Sequence, residues 1–584
     1  MELKSKGGSV VLEVKQFPKD VSVFDVYPED PRRCFFSGVF EESVEMNGRI
    51  RHFYTYLKPG LHYNQPCVVV AAPEGISGPE YLAQSQWIPF ADANNVFLFL
   101  AVPEDGKRDM DGDDGDYINQ VFLQANSRKY YVTMQDNFYL IGVGAGATVA
   151  QQAAIKLSSN WSGLATFGDL HEKVLGNRET AGHTEKIEAT ELFVSAARVQ
   201  LPVWMSWSDS SGVNGSVRNY WKAANDTGEE CFSNRWADEI YFPSKVVKSS
   251  QINEEKIAQV RVTNGFSGEA SLERINAVWD YLHLACRHRG FGTKQLRYRI
   301  DPEEYGFTYH TMTCDGFLRC WYEYVPERVK KSGKAAPVVV CMHGRGGTAE
   351  TFISLSGMSC VAEERDFIVL FPEAGVFQQR PGTLRNLLLW NGNYKGESTD
   401  DVGFILGMLE DVKQRNKVDS TRIYACGQSS GGMMTHTLAT KASGVFAAVA
   451  PWSALVNPDE QLILPESIEP AVPYLFLFGD GDFVCSDLEN GQLPYQVTEQ
   501  IAAVLRNLMR VYGLDENPRS YQVGEITYYV YRNAKGTPML IVGRVHDMPH
   551  ANYPRESWIS YDEFLSKFSR REDGTLLYMG EDAI

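Results

Sequence analysis

Arg422-Ile-Tyr-Ala-Cys-Gly427-Gln428-Ser429-Ser430-Gly431-Gly-Met-Met-Thr-His436 is the stretch on which the reading of this chain turns. Apolar and aromatic residues run without alternation into Gly427, as in a strand buried on both faces. From Gly431 the spacing becomes helical. Between the two lies G-x-S-x-G, where small residues flank a serine at a tight strand-to-helix turn. Such a turn projects the hydroxyl at the C-terminal end of a sheet, with the free N–H groups of the new helix behind it. Ser429 is therefore the candidate nucleophile.

A serine hydroxyl is weakly nucleophilic at neutral pH and needs a base and an orienting acid. In this arrangement the acid and then the histidine follow the serine in the chain. Phe478-Gly-Asp480-Gly-Asp482-Phe-Val484 ends an apolar run, and Asp482 is the expected acid, with Asp480 as the alternative; a D-G-D segment is otherwise an ordinary solvated turn. Two histidines follow. His546 closes the apolar run Pro538-Met-Leu-Ile-Val and is the expected base, on the argument that Pro549 steers His550 away from the strand end. Upstream, Met342-His343-Gly344-Arg345-Gly346-Gly347 follows another apolar run. The Arg345 N–H, admitted by these glycines, and the Ser430 N–H form the expected oxyanion hole. His343, Gly344, Gln428 and Met548 are expected to line the substrate site. Trp390 is expected to stack on an aryl or acyl group there, with half-buried packing as the plainer reading. His436, two helical turns past the serine, should not reach it.

Outward from this stretch, the chain repeats itself. Pro66-Cys-Val-Val-Val-Ala-Ala parallels Pro337-Val-Val-Val-Cys-Met-His, and Val96 to Glu104 parallels Phe367 to Glu373. Phe138 to Gly146 parallels Ile423 to Gly431, and Leu201 to Trp207 parallels Val472 to Phe478. Order is kept at offsets of roughly 270 to 285 residues, which points to duplication. Strand and helix alternating twice predicts two tandem α/β units, residues 1–290 and 291–584, each a mostly parallel sheet flanked by helices. The second is expected to open with antiparallel strands at Leu296-Arg-Tyr-Arg-Ile and Cys320-Trp-Tyr-Glu-Tyr-Val, and the two to pack together. In the first unit the nucleophile position holds Gly144 and the acid position Ser211. The run Ala258 to Gly265 brings no histidine, and the oxyanion loop becomes Ala72-Pro73-Glu74. The first unit thus reads as an inactive copy, open to use as an interface, a lid, or a carbohydrate- or aryl-binding module.

Composition sets the outer limits. With 584 residues, 43% hydrophobic and 22% charged, the chain is a globular protein of at least two domains. A formal charge of −18 disfavours nucleic acid and anionic membrane surfaces as partners. No run approaches the length of a spanning helix, and the first residues show no signal-peptide core. Ten scattered cysteines without a C-x-x-C pair suit a reducing cytoplasm rather than a zinc or disulfide framework. The acidic run Asp109 to Asp116 lacks the residue order of a calcium loop. No metal or organic cofactor is expected.

His343-Gly-Arg-Gly-Gly, Trp390, Asp400-Asp401-Val-Gly-Phe-Ile, Val418-Asp-Ser-Thr-Arg-Ile-Tyr, Gly427-Gln-Ser-Ser-Gly-Gly-Met-Met and His546-Asp-Met-Pro together resemble the poly(3-hydroxybutyrate) depolymerase-like esterases, a group of α/β-hydrolases that includes feruloyl esterases. The likeness spans roughly residues 300 to 560. It implies two α/β-hydrolase-like domains, the first degenerate, and a serine carboxylic-ester hydrolase in the second. It also places Ser429, Asp482 and His546 in the nucleophile, acid and base positions. Met548 stands where the family usually shows tryptophan, and Arg345 where cysteine is frequent. The implied substrate is a small or oligomeric ester, a hydroxycinnamoyl or other aromatic ester first and a short polyester second. A non-catalytic binding protein on the same fold is the rival, and homo-oligomerisation would run through the first domain.

Overall fold

The computed structural model describes residues 4–6, 9–18, 27–126, 133, 137–176, 184–186, 193–244, 247–249, 253–287, 294–377, 387–391, 400–456, 462, 464–485 and 493–584. Two ten-stranded sheets dominate. The sheet of the second half runs in the order Thr308–Cys314, Phe317–Tyr324, Ile368–Pro372, Ala336–Met342, Val418–Gln428, Ala448–Trp452, Tyr474–Gly481, Pro538–Pro549, Ile526–Arg532, Arg519–Val523. From Ile368–Pro372 to Pro538–Pro549 neighbouring strands are parallel, and the margins are antiparallel. The sheet of the first half runs Val14–Lys15, Gly38–Met46, Arg49–Leu57, Phe97–Ala101, Cys67–Ala71, Phe138–Val143, Gly163–Phe167, Val203–Trp207, Val260–Asn264, Glu239–Tyr241, with the corresponding strands parallel.

The two sheets therefore share one winding order, as two α/β-hydrolase-like units do. The inner strands Cys67–Ala71, Ala336–Met342 and Ala448–Trp452 are buried at every position, which is why they read as unbroken apolar runs. Correspondence extends to single atoms at the strand-to-helix turns. A Cβ on Gly431 would lie 2.2 Å from the Met342 carbonyl, and one on Gly146 would lie 2.2 Å from the Ala71 carbonyl. Ser429 and Gly144 both take positive φ, of 57° and 55°. A buried ion pair also recurs, Arg51 to Asp114 at 2.8 Å and Arg319 to Asp401 at 2.6 Å. Asp114 of the acidic run is thus engaged by arginine, Arg108 included.

The halves pack together. A single buried apolar cluster contains residues of both, from Phe53 and Val69 to Val339 and Trp452. Arg32 donates to Tyr309 Oη at 2.9 Å, and Leu318 N donates to Pro28 O at 2.8 Å. Leu296–Tyr298 departs from expectation: it pairs antiparallel with Ala285–Arg287 in a separate ribbon, and the second sheet opens at Thr308–Cys314. Arg299 explains the placement, since it donates to Tyr139 Oη at 2.8 Å and ties this segment to the first half. The expected boundary near residue 290 lies outside the described residues. Among the described residues no helix is long and apolar enough to cross a membrane.

Candidate active site

Strand Val418–Gln428 leads into Ser429, and helix Ser430–Lys441 starts at the next residue. The turn is tight because Gly427, Gly431 and Gly432 let three backbones meet: a Cβ on Gly427 would lie 2.7 Å from Met342 O, and one on Gly432 2.6 Å from Ala454 O. Ser429, held at positive φ, is kept there by its N–H donating to Trp452 O at 2.9 Å. Its hydroxyl faces a histidine. His550 Nε2 lies 2.9 Å from Ser429 Oγ, and His550 Nδ1 lies 2.9 Å from each oxygen of Asp482. Asp482, one residue past strand Tyr474–Gly481, is buried, and its Oδ1 also accepts from Val484 N at 3.2 Å. A carboxylate on Nδ1 fixes the proton there and leaves the Nε2 lone pair toward the serine.

His546 is not part of this chain of contacts. Its Nε2 lies 2.9 Å from Thr527 Oγ1 and its Nδ1 3.3 Å from Asp480 Oδ2. Asp480 also accepts from Asp547 N at 2.7 Å and pairs with Arg544 at 3.2 Å, so it is spent on the strand and does not stand in for Asp482. The histidine that reaches Ser429 is His550 and not the expected His546, for a reason of register. Strand Pro538–Pro549 does not stop at His546: Val545 faces Gly479 and Pro549 faces Gly481, so four steps on one strand match two on the other. Asp547, at φ 56°, makes this bulge. The extra residues lift the chain over the sheet end and deliver His550, not His546, above Ser429.

The loop expected to supply the oxyanion hole abuts Ser429. A Cβ on Gly344 would lie 3.4 Å from Ser429 Cβ and 2.3 Å from Gln428 Oε1. His343 is buried and pins this loop: Nε2 accepts from Ala374 N at 3.0 Å, so the proton sits on Nδ1, which donates to Gly344 O at 2.7 Å. Gly347 N donates to the same carbonyl at 3.0 Å. In a trans peptide C=O and N–H point to opposite sides, so fixing the Gly344 carbonyl fixes the Arg345 N–H as well. The Arg345 side chain is exposed. Ser430 is buried at the first turn of its helix.

Of the expected lining residues, Gln428 touches the site, its Nε2 lying 3.4 Å from His550 Nε2. Trp390 is not half-buried in a cleft wall as expected. It is 1% exposed, and its indole N–H donates to His343 O at 2.8 Å, so it packs behind the loop; residues 392–399, beyond it, lie outside the described residues. Met548 is buried in the core over Gly479, which removes it from the lining. His343 likewise supports rather than lines. His436 is buried and lies 3.1 Å from Tyr474 Oη; burial pushes it down to about 4.

Two residues escaped sequence reasoning. Phe483, half exposed, sets its ring 4.2 Å from that of His550 and is an aromatic face beside the Ser429–His550 contact. Its position next to Asp482 was the available signal. Glu556 is buried and accepts from Tyr553 N at 3.1 Å and from Asn552 Nδ2, bracing the segment that follows His550. Burial pushes its carboxyl up to about 8.

Residues 322–463 match the family model described as esterase PHB depolymerase. Residues 322–463 are thus PHB-depolymerase-like. That stretch holds the His343-to-Gly347 loop and Ser429 but ends before Asp482 and His550, whose placement rests on geometry. Feruloyl esterase B of Thermothelomyces thermophilus is 32% identical over 139 residues, 23% of this chain and 43% of that protein. Poly(3-hydroxyalkanoate) depolymerase C of Paucimonas lemoignei is 26% identical over 249 residues, 39% of this chain and 57% of that one. The chain thus spans about half the length of these relatives. Among solved structures, acetyl xylan esterase from Aspergillus awamori is 15% identical with a TM-score of 0.33, covering 44% of this chain and 99% of that one.

Proposed function

We propose that the PHB-depolymerase-like half is a serine carboxylic-ester hydrolase with Ser429 as nucleophile, His550 as base and Asp482 as the orienting acid. The observation that carries this reading is the unbroken line of 2.9 Å contacts from Ser429 through His550 to Asp482. His550 takes the Ser429 proton as Oγ attacks the ester carbonyl, and the oxyanion is held by the N–H groups of Ser430 and Arg345. The imidazolium, stabilised by Asp482, then protonates the departing alkoxide. Water, activated by the same imidazole, attacks the acyl-enzyme and releases the acid.

The substrate class we propose is an aromatic, hydroxycinnamoyl-type ester of a sugar or small alcohol. Two findings support it: the likeness to feruloyl esterase B and the exposed Phe483 ring beside His550. Esters of hydroxyalkanoate oligomers are the second reading, favoured by the likeness to the depolymerase. The first half is proposed to be non-catalytic, since Gly144 has no hydroxyl and Pro73 Cβ comes within 3.3 Å of where its side chain would start. Ten free cysteines support a reducing compartment.

Active-site labelling is the direct test. A fluorophosphonate probe should modify Ser429 and nothing else, and Ser429→Ala should lose both the label and hydrolysis of p-nitrophenyl acetate. An unlabelled native protein, or a Ser429→Ala variant that keeps its activity, overturns the reading. Methyl ferulate against hydroxybutyrate oligomers then separates the two substrate classes.

A further inference from the structure

The oxyanion loop of the second half is gripped by a residue of the first. Asn64 stands just ahead of strand Cys67–Ala71 and is 6% exposed, with a backbone φ of 59°. Its Nδ2 donates to Gly346 O at 3.0 Å. Gly346 belongs to the His343-to-Gly347 loop, is itself left-handed at φ 69°, and donates its N–H to Leu388 O at 2.7 Å. The loop is therefore clamped on both faces of one residue, once from within the second half and once from across the interface. A second tie runs in parallel. Arg32 Nε lies 3.5 Å from Glu373 Oε1, and Glu373 Oε2 accepts from Ala349 N at 3.2 Å, at the start of the helix that follows the loop.

The other end of the Asn64 side chain sharpens the argument. Its Oδ1 is buried with no hydrogen-bond partner among the described residues. Leaving an acceptor unsatisfied is costly, and a fold that needed only to fill this space would place an apolar group there. What the amide supplies is its N–H on Gly346. That contact falls on the residue next to Arg345, whose N–H direction depends on the turn closed by Gly347 N on Gly344 O at 3.0 Å. An oxyanion donor acts only if held where charge develops, and shifts well under 1 Å are felt in the rate.

We infer that the first half is a positioning unit for the oxyanion hole of the second, and that Asn64 is the positioning residue through which it acts. This rests on the esterase reading of Ser429. The mechanism is preorganisation: Asn64 holds the Gly346 carbonyl, the Gly344-to-Gly347 turn stays closed, and the Arg345 N–H keeps its aim. Since the oxyanion exists only beyond the ground state, the contribution falls on kcat and not on substrate binding.

The test uses the full-length chain. Asn64→Gly keeps the left-handed backbone and removes the amide; Asn64→Asp keeps the size and replaces the donor by an acceptor facing a carbonyl. Arg235→Ala, an exposed first-half ion-pair residue far from this contact, is the control. Both Asn64 variants should lower kcat for p-nitrophenyl acetate by about ten-fold at a KM held within about two-fold. Fluorophosphonate labelling of Ser429 should slow in proportion, and the control should match wild type. Wild-type kcat in a folded Asn64→Gly or Asn64→Asp protein overturns the proposal, as does a loss that appears only where the variant is melting, or one that falls on KM. A wild-type protein that takes no label overturns the esterase reading instead, so the two failures are told apart.

Discussion

The Met548 carbonyl passes over Gly479 so closely that a Cβ there would lie 1.9 Å from it. This crossing is where strand Pro538–Pro549 bulges, and it is what carries His550 to Ser429. Gly479→Ala should therefore push the bulge away and separate His550 from Ser429. Activity is expected to fall at least about 100-fold, with a stability loss of about 1–3 kcal/mol from forced backbone movement. Steady-state kinetics and urea unfolding of the same preparation check both numbers.

The two histidines make opposite predictions. His550→Gln should lower kcat/KM by about three or more orders of magnitude, because the base and its proton relay are removed together. His546→Gln should stay within about three-fold of wild type, its effect limited to the contacts with Thr527 and Asp480. Paired assays on an aryl ester decide between them.

Asp482→Asn should keep the fold and lose about four orders of magnitude in kcat, since an amide cannot hold the imidazole with its proton on Nδ1. Asp480→Asn should cost far less. The Ser429 labelling rate, read alongside hydrolysis, shows whether the nucleophile alone has been affected.

Phe483 offers its ring at the mouth of the triad. Phe483→Ala is expected to raise KM about three- to ten-fold for methyl ferulate, the range of one aromatic pair, and to leave p-nitrophenyl acetate nearly unchanged. A matched rise for both esters would mean that the ring orients His550 rather than the substrate.

Glu556 links stability to pH. Its carboxyl sits at about 8 in the folded chain against 4.5 for an ordinary glutamate, so between these values the folded state retains a proton that the unfolded state releases. Stability must then fall as pH rises through that window, by up to about 1.4 kcal/mol per pH unit from this group. Glu556→Gln removes the titration. Thermal melts from pH 5 to 8 should show a shallower decline for the variant than for wild type.

How much of this was legible beforehand divides along a physical line. Buried strands must be apolar throughout and a tight strand-to-helix turn must be small-flanked, so the sequence alone carried the duplication, the parallel sheets, the turn at Ser429, the loop at His343 to Gly347 and the place of Asp482 past its strand. These are local demands, met by neighbouring residues. Which histidine reaches Ser429 is not local. It depends on how strand Pro538–Pro549 registers against Tyr474–Gly481, and a bulge of two residues exchanges His546 for His550 without leaving a distinct mark in composition. Trp390 shows the same limit, for its polar neighbours suggested a cleft while packing against His343 buried it. The grip of Asn64 on Gly346 joins residues 282 positions apart, and only the tertiary fold brings two such distant groups within a hydrogen bond.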